Sequence, residues 1–322
     1  MLRLFGRLLT GWIGLLAYCA VAAALPAEAM TNPRPLGHIG PPSYPTIAVG
    51  QLPFAILFDG YSLWVANVIS NNVTEIDTSG RLLGTFPVGR SPEGIAFDGN
   101  HLWVTNAGDN DVLELDVSGN IVGGPFPVGH HPRGIIFDGA HLWVSNFQAN
   151  TVTELDTAGR VIGTFTVGYS PGRSAFDLVH IWVPNYDDNT VSELDKSGKL
   201  IATIAVGSGP RAIAFDGMHL WVTNSSNTLS ELDMMGNLIG TVPVGQCPDA
   251  IGYDGNNLWV TDICSNSVLM LDAAGRVLRT FPVGSGPIAL DFDGTHAWVV
   301  NASSNTVTAV PDPNATSGNP IQ

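Results

Sequence analysis

Residues 91–129, SPEGIAFDGNHLWVTNAGDNDVLELDVSGNIVGGPFPVG, recur as near-copies through most of the 322-residue chain. Each copy carries one tryptophan in a Leu-Trp-Val-like triplet; the seven are Trp64, Trp103, Trp143, Trp182, Trp221, Trp259 and Trp298. They are spaced 39, 40, 39, 39, 38 and 39 residues apart. A fixed period of about 40 residues with strand-rich content indicates a repeat architecture.

Four short strands are predicted in each copy, separated by turn-forming residues. In the quoted stretch they cover residues 94–97, 101–105, 112–115 and 121–128. Asp98-Gly99 favours a hairpin because glycine accepts positive φ. Pro125 and Pro127 cannot donate to a strand ladder, so the fourth strand is predicted to be an exposed edge. Sheets that are apolar on both faces must pack between neighbours, which is typical of propeller blades.

The seventh copy lacks a fourth strand, and a matching segment occurs near the start of the sequence. Residues 46–50 read TIAVG, identical to the fourth-strand segment at 203–207. We therefore predict an all-β fold: a seven-bladed β-propeller of four-stranded antiparallel blades, closed by an N-terminal strand that completes the last blade. Closure removes the open edges of a linear array. The rival architecture, a solenoid, needs capping repeats with polar outer faces, and neither end resembles one.

Four parts of the chain are predicted: a signal peptide at 1–29, a Pro/Gly-rich linker at 30–44, the propeller at 45–311 and a disordered tail at 312–322. Arg3 and Arg7 precede an apolar run that ends in an A-x-A site at 27–29, the pattern of a cleavable secretory signal. A permanent anchor is the alternative. The expected location is secreted or periplasmic, with no membrane span after cleavage.

The charge of the chain excludes one class of partner. The formal net charge is −15 at pH 7, and removal of residues 1–29 leaves 11 basic and 27 acidic residues. Phosphate binding requires clustered lysine and arginine, whereas the only lysines are Lys196 and Lys199. A nucleic-acid partner is therefore excluded, and anionic membranes should be repelled.

Two cysteines remain after the signal is removed, and they are predicted to pair. Cys247 lies in the link between the fifth and sixth copies, and Cys264 lies in a turn of the sixth. Both connections emerge at the same end of a meander, so a disulfide is expected in an oxidising compartment. Two free thiols are the alternative.

The links between blades and the turns after the second strands open onto one face, where a ligand site is predicted. The residue after each linker proline should point towards the mouth of the central channel; the seven are Phe54, Glu93, Arg133, Gly172, Arg211, Asp249 and Ile288. Mixed charges and apolar groups around one opening suit a small polar ligand. A ring of mutual salt bridges is the alternative interpretation.

Departures from the repeat refine this prediction. Arg173 occupies an inner-strand position that is Gly or Ala in the other copies, and Asp291 replaces a small or aliphatic residue two positions further on. Both are expected to face the same way into a crowded interior, where a charge is costly unless it is paired. The predicted ligand contacts are Glu93, Arg133, Arg173, Arg211, Asp249, Asp291 and His131.

Histidines and acidic turns leave the metal content open. Five histidines recur at one repeat position on the opposite face, where they should satisfy polar groups of the hairpin turn and cannot converge on one ion: His101, His141, His180, His219 and His296. His130 and His131 lie on the candidate face without the spacing of a metal motif. The turns at 109–111 and 187–189 are compatible with calcium, although turn chemistry also explains them. The sequence therefore leaves open whether a divalent ion such as Mg²⁺ or Ca²⁺ is a cofactor.

The pattern P-x-x-I-x-F-D-G-x-x-L-W-V-T-N…N-x-V-x-E-L-D…G resembles the NHL and YVTN repeats and is similar to the repeat of streptogramin (virginiamycin B) lyases. The resemblance implies a seven-bladed fold. Lyase activity in that family implies histidines after the linker prolines and a glutamate beyond the tryptophan strand, near Mg²⁺. No histidine follows a linker proline here. The position beyond the tryptophan strand holds Asn67, Asn106, Asn146, Asn185, Asn224, Asp262 and Asn301.

Three roles are compatible with these patterns. The first is an exported scaffold that binds an unknown small molecule or protein without catalysis, because general acid–base work needs titratable groups that the matching positions lack. The alternative is a metal-dependent lyase or hydrolase that resembles streptogramin lyase. The third is a structural role in an envelope or surface layer.

Overall fold

The fold is a seven-bladed β-propeller, as predicted. The computed structural model describes residues 43–315, and all 28 regular elements in that range are β-strands. They form seven four-stranded sheets, and the inner strands contact one another around a closed ring. The predicted signal peptide, the linker up to residue 42 and the tail beyond residue 315 lie outside the described residues. No helix between residues 43 and 315 has the length and apolar character needed to cross a membrane.

Each blade contributes one strand to each of four positions, from the ring axis outwards. The inner strands are β2 (Pro53–Phe58), β6 (Pro92–Phe97), β10 (Pro132–Phe137), β14 (Ala175–Phe176), β18 (Pro210–Phe215), β22 (Pro248–Tyr253) and β26 (Pro287–Phe292). The second strands are β3 (Ser62–Asn67), β7 (His101–Asn106), β11 (His141–Asn146), β15 (Ile181–Asn185), β19 (Leu220–Asn224), β23 (Leu258–Asp262) and β27 (His296–Asn301).

The third strands are β4 (Asn72–Asp77), β8 (Asp111–Asp116), β12 (Thr151–Asp156), β16 (Thr190–Leu194), β20 (Thr228–Leu232), β24 (Ser267–Leu271) and β28 (Thr306–Pro311). The outer strands are β5 (Leu82–Pro87), β9 (Ile121–Pro127), β13 (Val161–Thr166), β17 (Leu200–Ala205), β21 (Leu238–Pro243), β25 (Val277–Pro282) and, for the seventh blade, β1 (Thr46–Ala48). Every outer strand is an edge of its sheet, as predicted from the prolines in the fourth strand of the repeat.

A hairpin aspartate anchors the tryptophan of each blade. In the first blade Asp59 Oδ1 accepts the backbone N–H groups of Tyr61 and Ser62 at 2.8 and 2.7 Å, and Oδ2 accepts Trp64 Nε1 at 2.8 Å. The aspartate–tryptophan bond recurs in the other six blades at 2.6 to 3.1 Å. All seven tryptophans are buried. The D-G-x-x-L-W motif therefore fixes both the hairpin and the large core side chain beside it.

A turn asparagine ties one blade to the next. Asn71 adopts a φ of 53°, and its Oδ1 accepts the N–H of Ser91 in the following link at 2.9 Å. Equivalent bonds occur at six of the seven junctions within residues 43–315. These bonds hold the links, and therefore the residues after the linker prolines, in a fixed register around the axis.

The N-terminal strand closes the ring, as predicted. Its register places Ile47 opposite Val307 in β28, between the pairs Thr46–Thr308 and Ala48–Thr306. Val49 N donates to the Asn305 carbonyl at 3.1 Å and continues the ladder. The seventh blade is therefore built from both ends of the propeller sequence.

The predicted disulfide is present between Cys247 and Cys264, whose Cα atoms lie 5.4 Å apart. It joins the link before β22 to the turn after β23. The side chain of Asn227, the turn asparagine of the fifth blade, accepts no bond from this link within residues 43–315. Instead the carboxylate of Asp262, the last residue of β23, accepts the N–H groups of Gln246 and Cys247 at 2.9 and 2.8 Å. The bridge therefore reinforces the one junction without an asparagine tie.

Removal of this bridge should destabilise the propeller. The bond closes a loop with a sequence separation of 17 residues, so we expect the double variant Cys247→Ala/Cys264→Ala to lose roughly 3 kcal/mol in the free energy of unfolding. Denaturant unfolding with and without a phosphine reductant measures the effect. The reductant should destabilise the native sequence and leave the double variant unchanged. A native protein indifferent to reductant would contradict the expectation.

The hairpin of the fourth blade contains a strained residue. The other six hairpins have glycine after the aspartate, with φ between 84° and 99°, whereas this one has Leu178 at a φ of 80°. A left-handed conformation costs a residue with Cβ roughly 1–2 kcal/mol. Because Leu178 is largely exposed, little packing compensates.

The variant Leu178→Gly should therefore raise the free energy of unfolding by about 1 kcal/mol, since glycine adopts this φ freely. Chemical denaturation of the variant against the native protein measures the difference. Leu178→Ala is the matched control: it removes the exposed side chain but keeps Cβ, so it should give no comparable gain. An equal gain in both variants would mean that exposure of leucine, and not the backbone, is the cause.

Candidate functional site

Five of the seven predicted ligand contacts converge at one end of the central cavity. They are Glu93 on β6, Arg133 on β10, Arg211 on β18, Asp249 on β22 and Arg173, which precedes β14. This is the end surrounded by the links between blades. We call these five residues the arginine layer.

The fourth blade departs from the others because Pro184 lies within its second strand. Proline has no N–H to donate to the inner strand, and β14 is reduced to two residues. Gly172 N donates to the Pro184 carbonyl at 2.8 Å, and Arg173 N donates to the Arg211 carbonyl at 3.0 Å. The backbone at Arg173 is thereby bonded to the fifth blade. Pro184 was not among the predicted site residues; its signal is the segment WVPN where the second blade has WVTN.

Asp249 is shared by two arginines. Its Oδ2 lies 3.4 Å from Arg173 Nη1, and its Oδ1 lies 3.2 Å from Arg211 Nη1. Burial raises the pKa of this carboxyl, but the positive charges of Arg211, Arg173 and Arg133 outweigh burial and hold the pKa below its usual range. Arg173 Nη2 also donates to the Phe54 carbonyl at 3.2 Å. These contacts join the first, fourth, fifth and sixth blades across the mouth.

Aromatic rings support all three guanidinium groups. The contacts, measured from Cζ to the ring centroid, are Arg173–Phe54 at 4.9 Å, Arg133–Phe54 at 5.2 Å, Arg133–Phe147 at 5.0 Å and Arg211–Tyr186 at 5.1 Å. Cations at these distances are attracted by the ring quadrupole, more strongly when they are partly desolvated. The rings therefore hold the guanidinium planes in place at the mouth.

Arg133 has the least complete set of partners in the layer. Glu93 Oε2 lies 3.9 Å from Arg133 Nε, beyond hydrogen-bond distance, while Glu93 Oε1 lies 3.1 Å from His131 Nε2. No acceptor within residues 43–315 receives a hydrogen bond from the Arg133 guanidinium. Burial lowers the pKa of Arg133, and the negative charge of Glu93 opposes that shift. His131 therefore acts on the layer through Glu93.

The central cavity has a volume of about 470 Å³ and is enclosed by the inner strands. Its middle is lined by a belt of buried isoleucines: Ile56, Ile95, Ile135, Ile213 and Ile251. At the end opposite the arginine layer it is lined by the rings of Phe176, Phe215, Tyr253 and Phe292. The cavity is therefore polar at the mouth, apolar in the middle and aromatic at the far end.

Asp291 lines the cavity but lies apart from the arginine layer. Its Oδ2 accepts the backbone N–H of Phe58 at 2.7 Å, and its Oδ1 accepts that of Phe292 at 2.9 Å. Burial raises the pKa of Asp291 to about 6, and the two backbone hydrogen bonds counteract part of this shift. Arg173 and Asp291 both line the cavity, but Arg173 reaches to the mouth and no ion pair joins it to Asp291.

The repeated histidines contact third-strand glutamates as well as hairpin groups: Nδ1 lies 3.4 to 3.7 Å from the hairpin aspartate Oδ2 in His180, His219 and His296. Nδ1 of the histidine lies 2.8 to 3.6 Å from a glutamate Oε1 in four blades: His101–Glu114, His141–Glu154, His180–Glu193 and His219–Glu231. They are distributed around the ring, as expected. Within the described part of the chain no three His, Cys, Asp or Glu side chains are grouped as a metal site. The acidic turn at 187–189 bonds to the preceding link between blades: Asp188 accepts Tyr169 N, and Asp187 accepts Ser170 Oγ, both at 2.6 Å.

Comparison with known proteins yields a likeness of fold. No protein-family model matches the chain, and no curated protein sequence matches it. A solved streptogramin B lyase superposes with a TM-score of 0.72 at 17% identity, covering 82% of this chain and 96% of the lyase. Virginiamycin B lyase from Staphylococcus aureus gives 0.74 at 16% identity, over 84% and 99%. Hydrazine synthase from Kuenenia stuttgartiensis gives 0.73 at 19% identity, over 87% and 99%.

These neighbours carry different activities on one architecture, so the likeness identifies the scaffold and not the chemistry. The chain shares the seven-bladed propeller fold of the streptogramin B and virginiamycin B lyases.

Proposed function

We propose that this chain is an exported propeller that binds a small organic anion at the arginine layer without catalysing a reaction. The observation that carries the proposal is the state of Arg133. Its guanidinium packs against Phe54 and Phe147, lines the cavity and donates to no acceptor within residues 43–315. A planar guanidinium fork matches a carboxylate in two parallel hydrogen bonds.

The charge of the layer supports an anionic ligand. Three arginines face two carboxylates, which leaves one positive charge at the mouth of a chain whose net charge is −15. Asp249 satisfies Arg173 and Arg211, so these two fix the geometry while Arg133 remains available. A donor that is already held in place binds at a lower entropic cost than a flexible one.

The remaining features fit export and a passive site. The disulfide is typical of an oxidising compartment. The one histidine beside the layer, His131, has its Nε2 engaged by Glu93. A metal-dependent lyase or hydrolase is the competing function, and it is favoured only by the likeness of fold to lyases.

Thermal-shift and calorimetric titrations with matched probes test the proposal. Acetate and succinate should stabilise the protein, whereas acetamide and succinamide should not, because the neutral amides lack the charge that Arg133 binds. A ligand at 100 times its Kd adds about 2.7 kcal/mol to the free energy of unfolding. Arg133→Gln should abolish the response, and Arg173→Ala should weaken it while the ring stays folded. The surface variant Arg276→Gln is the control.

Two outcomes would overturn the proposal: equal responses to acids and amides, or an unchanged response in Arg133→Gln. Metal analysis of protein purified without chelator addresses the competing function. One tightly bound ion, together with turnover of an added substrate that stops on its removal, would favour the enzyme.

A further inference from the structure

The far end of the central cavity contains one carboxylate without a cationic partner. Within residues 43–315 no lysine, arginine or histidine lies within ion-pair distance of Asp291, whose two contacts are the backbone N–H groups of Phe58 and Phe292. The other acidic residues of the cavity and its mouth, Glu93 and Asp249, have charged partners. Within residues 43–315, Asp291 is thus the one carboxylate of the cavity lining that has no positively charged partner.

The surroundings of Asp291 are apolar. Its repeat position is Gly252 in the neighbouring sixth blade, where the side chains of Leu290 and Phe292 pack against the glycine, and Leu57 in the neighbouring first blade, which packs into the core between blades. Tyr253 and Phe292 contribute their rings to the same end. The whole cavity, from the arginine layer to this end, has a volume of about 470 Å³, which lies in the range of small-molecule sites; such sites are mostly apolar with a few placed polar groups.

We propose that this end of the cavity is a second binding site, for a small organic cation whose alkylammonium group pairs with Asp291. The site is distinct from the arginine layer and does not depend on the anion proposed there. The cation supplies the missing counter-charge, and its alkyl groups contact the apolar and aromatic lining.

An organic cation fits this chemistry better than a metal ion does. Calcium takes six to eight oxygen ligands and magnesium six, whereas this end of the cavity offers one carboxylate among apolar side chains. An alkylammonium group needs only one counter-charge, and it is stabilised by aromatic and aliphatic contacts that a hydrated metal ion cannot use.

A structural role for Asp291 is the competing explanation, because its bond to Phe58 joins the seventh blade to the first. That role requires an acceptor oxygen and not a charge. The variant Asp291→Asn removes the charge and gives up the bond from Phe292 N, but its amide oxygen can still accept the Phe58 N–H that joins the two blades. It therefore separates the two explanations.

Calorimetric titration of the native protein with tetramethylammonium, which keeps its charge at every pH, tests the proposal. We expect binding at pH 7.5, none with the neutral analogue tert-butanol, and at least a tenfold loss in Asp291→Asn. Asp312→Asn, which removes a charge outside the cavity, should bind as the native protein does. Binding of tert-butanol with equal affinity, undiminished binding by Asp291→Asn, or no binding by the native protein would overturn the proposal.

The pH dependence of binding is a second readout that needs no variant. A carboxyl with a pKa of about 6 is mostly neutral at pH 5, so the affinity for tetramethylammonium should fall about tenfold between pH 7.5 and pH 5. The strand β2, packed against Asp291, has no titratable residue, and Asp59 follows it in the hairpin turn. The other titratable groups on the elements around Asp291 are Tyr253 on β22, Asp293 on the following turn and His296 on β27. Glu93, Arg133, Arg173 and Asp249 lie at the opposite end of the cavity. Affinity independent of pH would contradict the assignment to Asp291. Failure of these tests leaves the acetate and succinate titrations unaffected.

Discussion

Replacement of Ile47 by proline should destabilise the propeller far more than the same replacement of Ile204. Both residues lie in a Thr-Ile-Ala segment of an outer strand, both are half-buried, and each faces a valine of the third strand, Val307 or Val191. Proline removes the ladder donor, which costs about 1 kcal/mol of net hydrogen-bond energy at either site. Only β1, however, joins the two ends of the ring.

The difference between the two variants in the free energy of unfolding measures the contribution of ring closure. Opening the seventh blade exposes apolar surface between β26 and β2 and releases the register that the Asn305 side chain imposes on Leu52 at 2.8 Å. Both variants lose a ladder hydrogen bond and part of an isoleucine contact, about 2 kcal/mol together. We expect Ile47→Pro to lose about 4 kcal/mol or more in the free energy of unfolding, because it also exposes the apolar surface at the opened junction. Equal losses in the two variants, measured by denaturant unfolding, would mean that β1 is an ordinary edge strand and not the closure.

The fold was predictable from the sequence because the residues of each repeat motif make the hydrogen bonds that define their own hairpin. Asp59 and its equivalents bind both the hairpin backbone and the tryptophan, so the spacing of D-G-x-x-L-W sets the strand order in every blade. The identity of residues 46–50 and 203–207 predicted the closing strand for the same reason. Because the repeat fixes the strand register of every blade, it also predicted that the residues after the linker prolines surround one mouth of the central cavity.

The internal arrangement of the site was less predictable, since it depends on contacts between blades. Arg173 and Asp291 both break the pattern, but side-chain length and backbone context separate them. The backbone N–H of Arg173 donates to the Arg211 carbonyl of the fifth blade, and the long guanidinium reaches Asp249 at 3.4 Å. The short carboxylate of Asp291 stays near its own strand and bonds to Phe58. A repeat alignment assigns both residues to the interior, but it does not describe these partners.

The partners of the repeated histidines illustrate the same limit. The sequence places the histidine of each blade beside a hairpin and the glutamate of E-L-D on the third strand, without stating that they meet. Strand register brings His141 Nδ1 to 2.8 Å from Glu154 Oε1, and burial raises the pKa of Glu154 while the nearby histidine opposes that shift. Pairing across two strands becomes evident only when the register is known.

Asp249→Asn should cost about 3 kcal/mol in the free energy of unfolding at neutral pH. The variant leaves Arg173 and Arg211 without their shared carboxylate, and removal of one partner from a buried ion pair typically costs about 3–5 kcal/mol. The lower end is expected because both arginine side chains keep about a fifth of their surface exposed. Arg276→Ala, which breaks an exposed pair with Asp272, is the control and should cost under about 1 kcal/mol.

A second substitution tests whether the loss arises from the unpaired arginines. Alanine is the residue at the position of Arg173 in the first, fifth, sixth and seventh blades, so alanine should fit there. Arg173→Ala also removes one of the two arginines that Asp249→Asn leaves without a carboxylate partner. The double variant Asp249→Asn/Arg173→Ala should therefore be less destabilised than the sum of the two single variants. Because the arginines lower the folded-state pKa of Asp249, the advantage of the native protein should persist above about pH 4 and fade only as the pH falls below it. Two outcomes would show that Asp249 acts through packing and not through its charge. One is strict additivity of the losses of the two single variants. The other is a loss in Asp249→Asn that is the same at about pH 2 to 3 as at neutral pH, in a protein that remains folded.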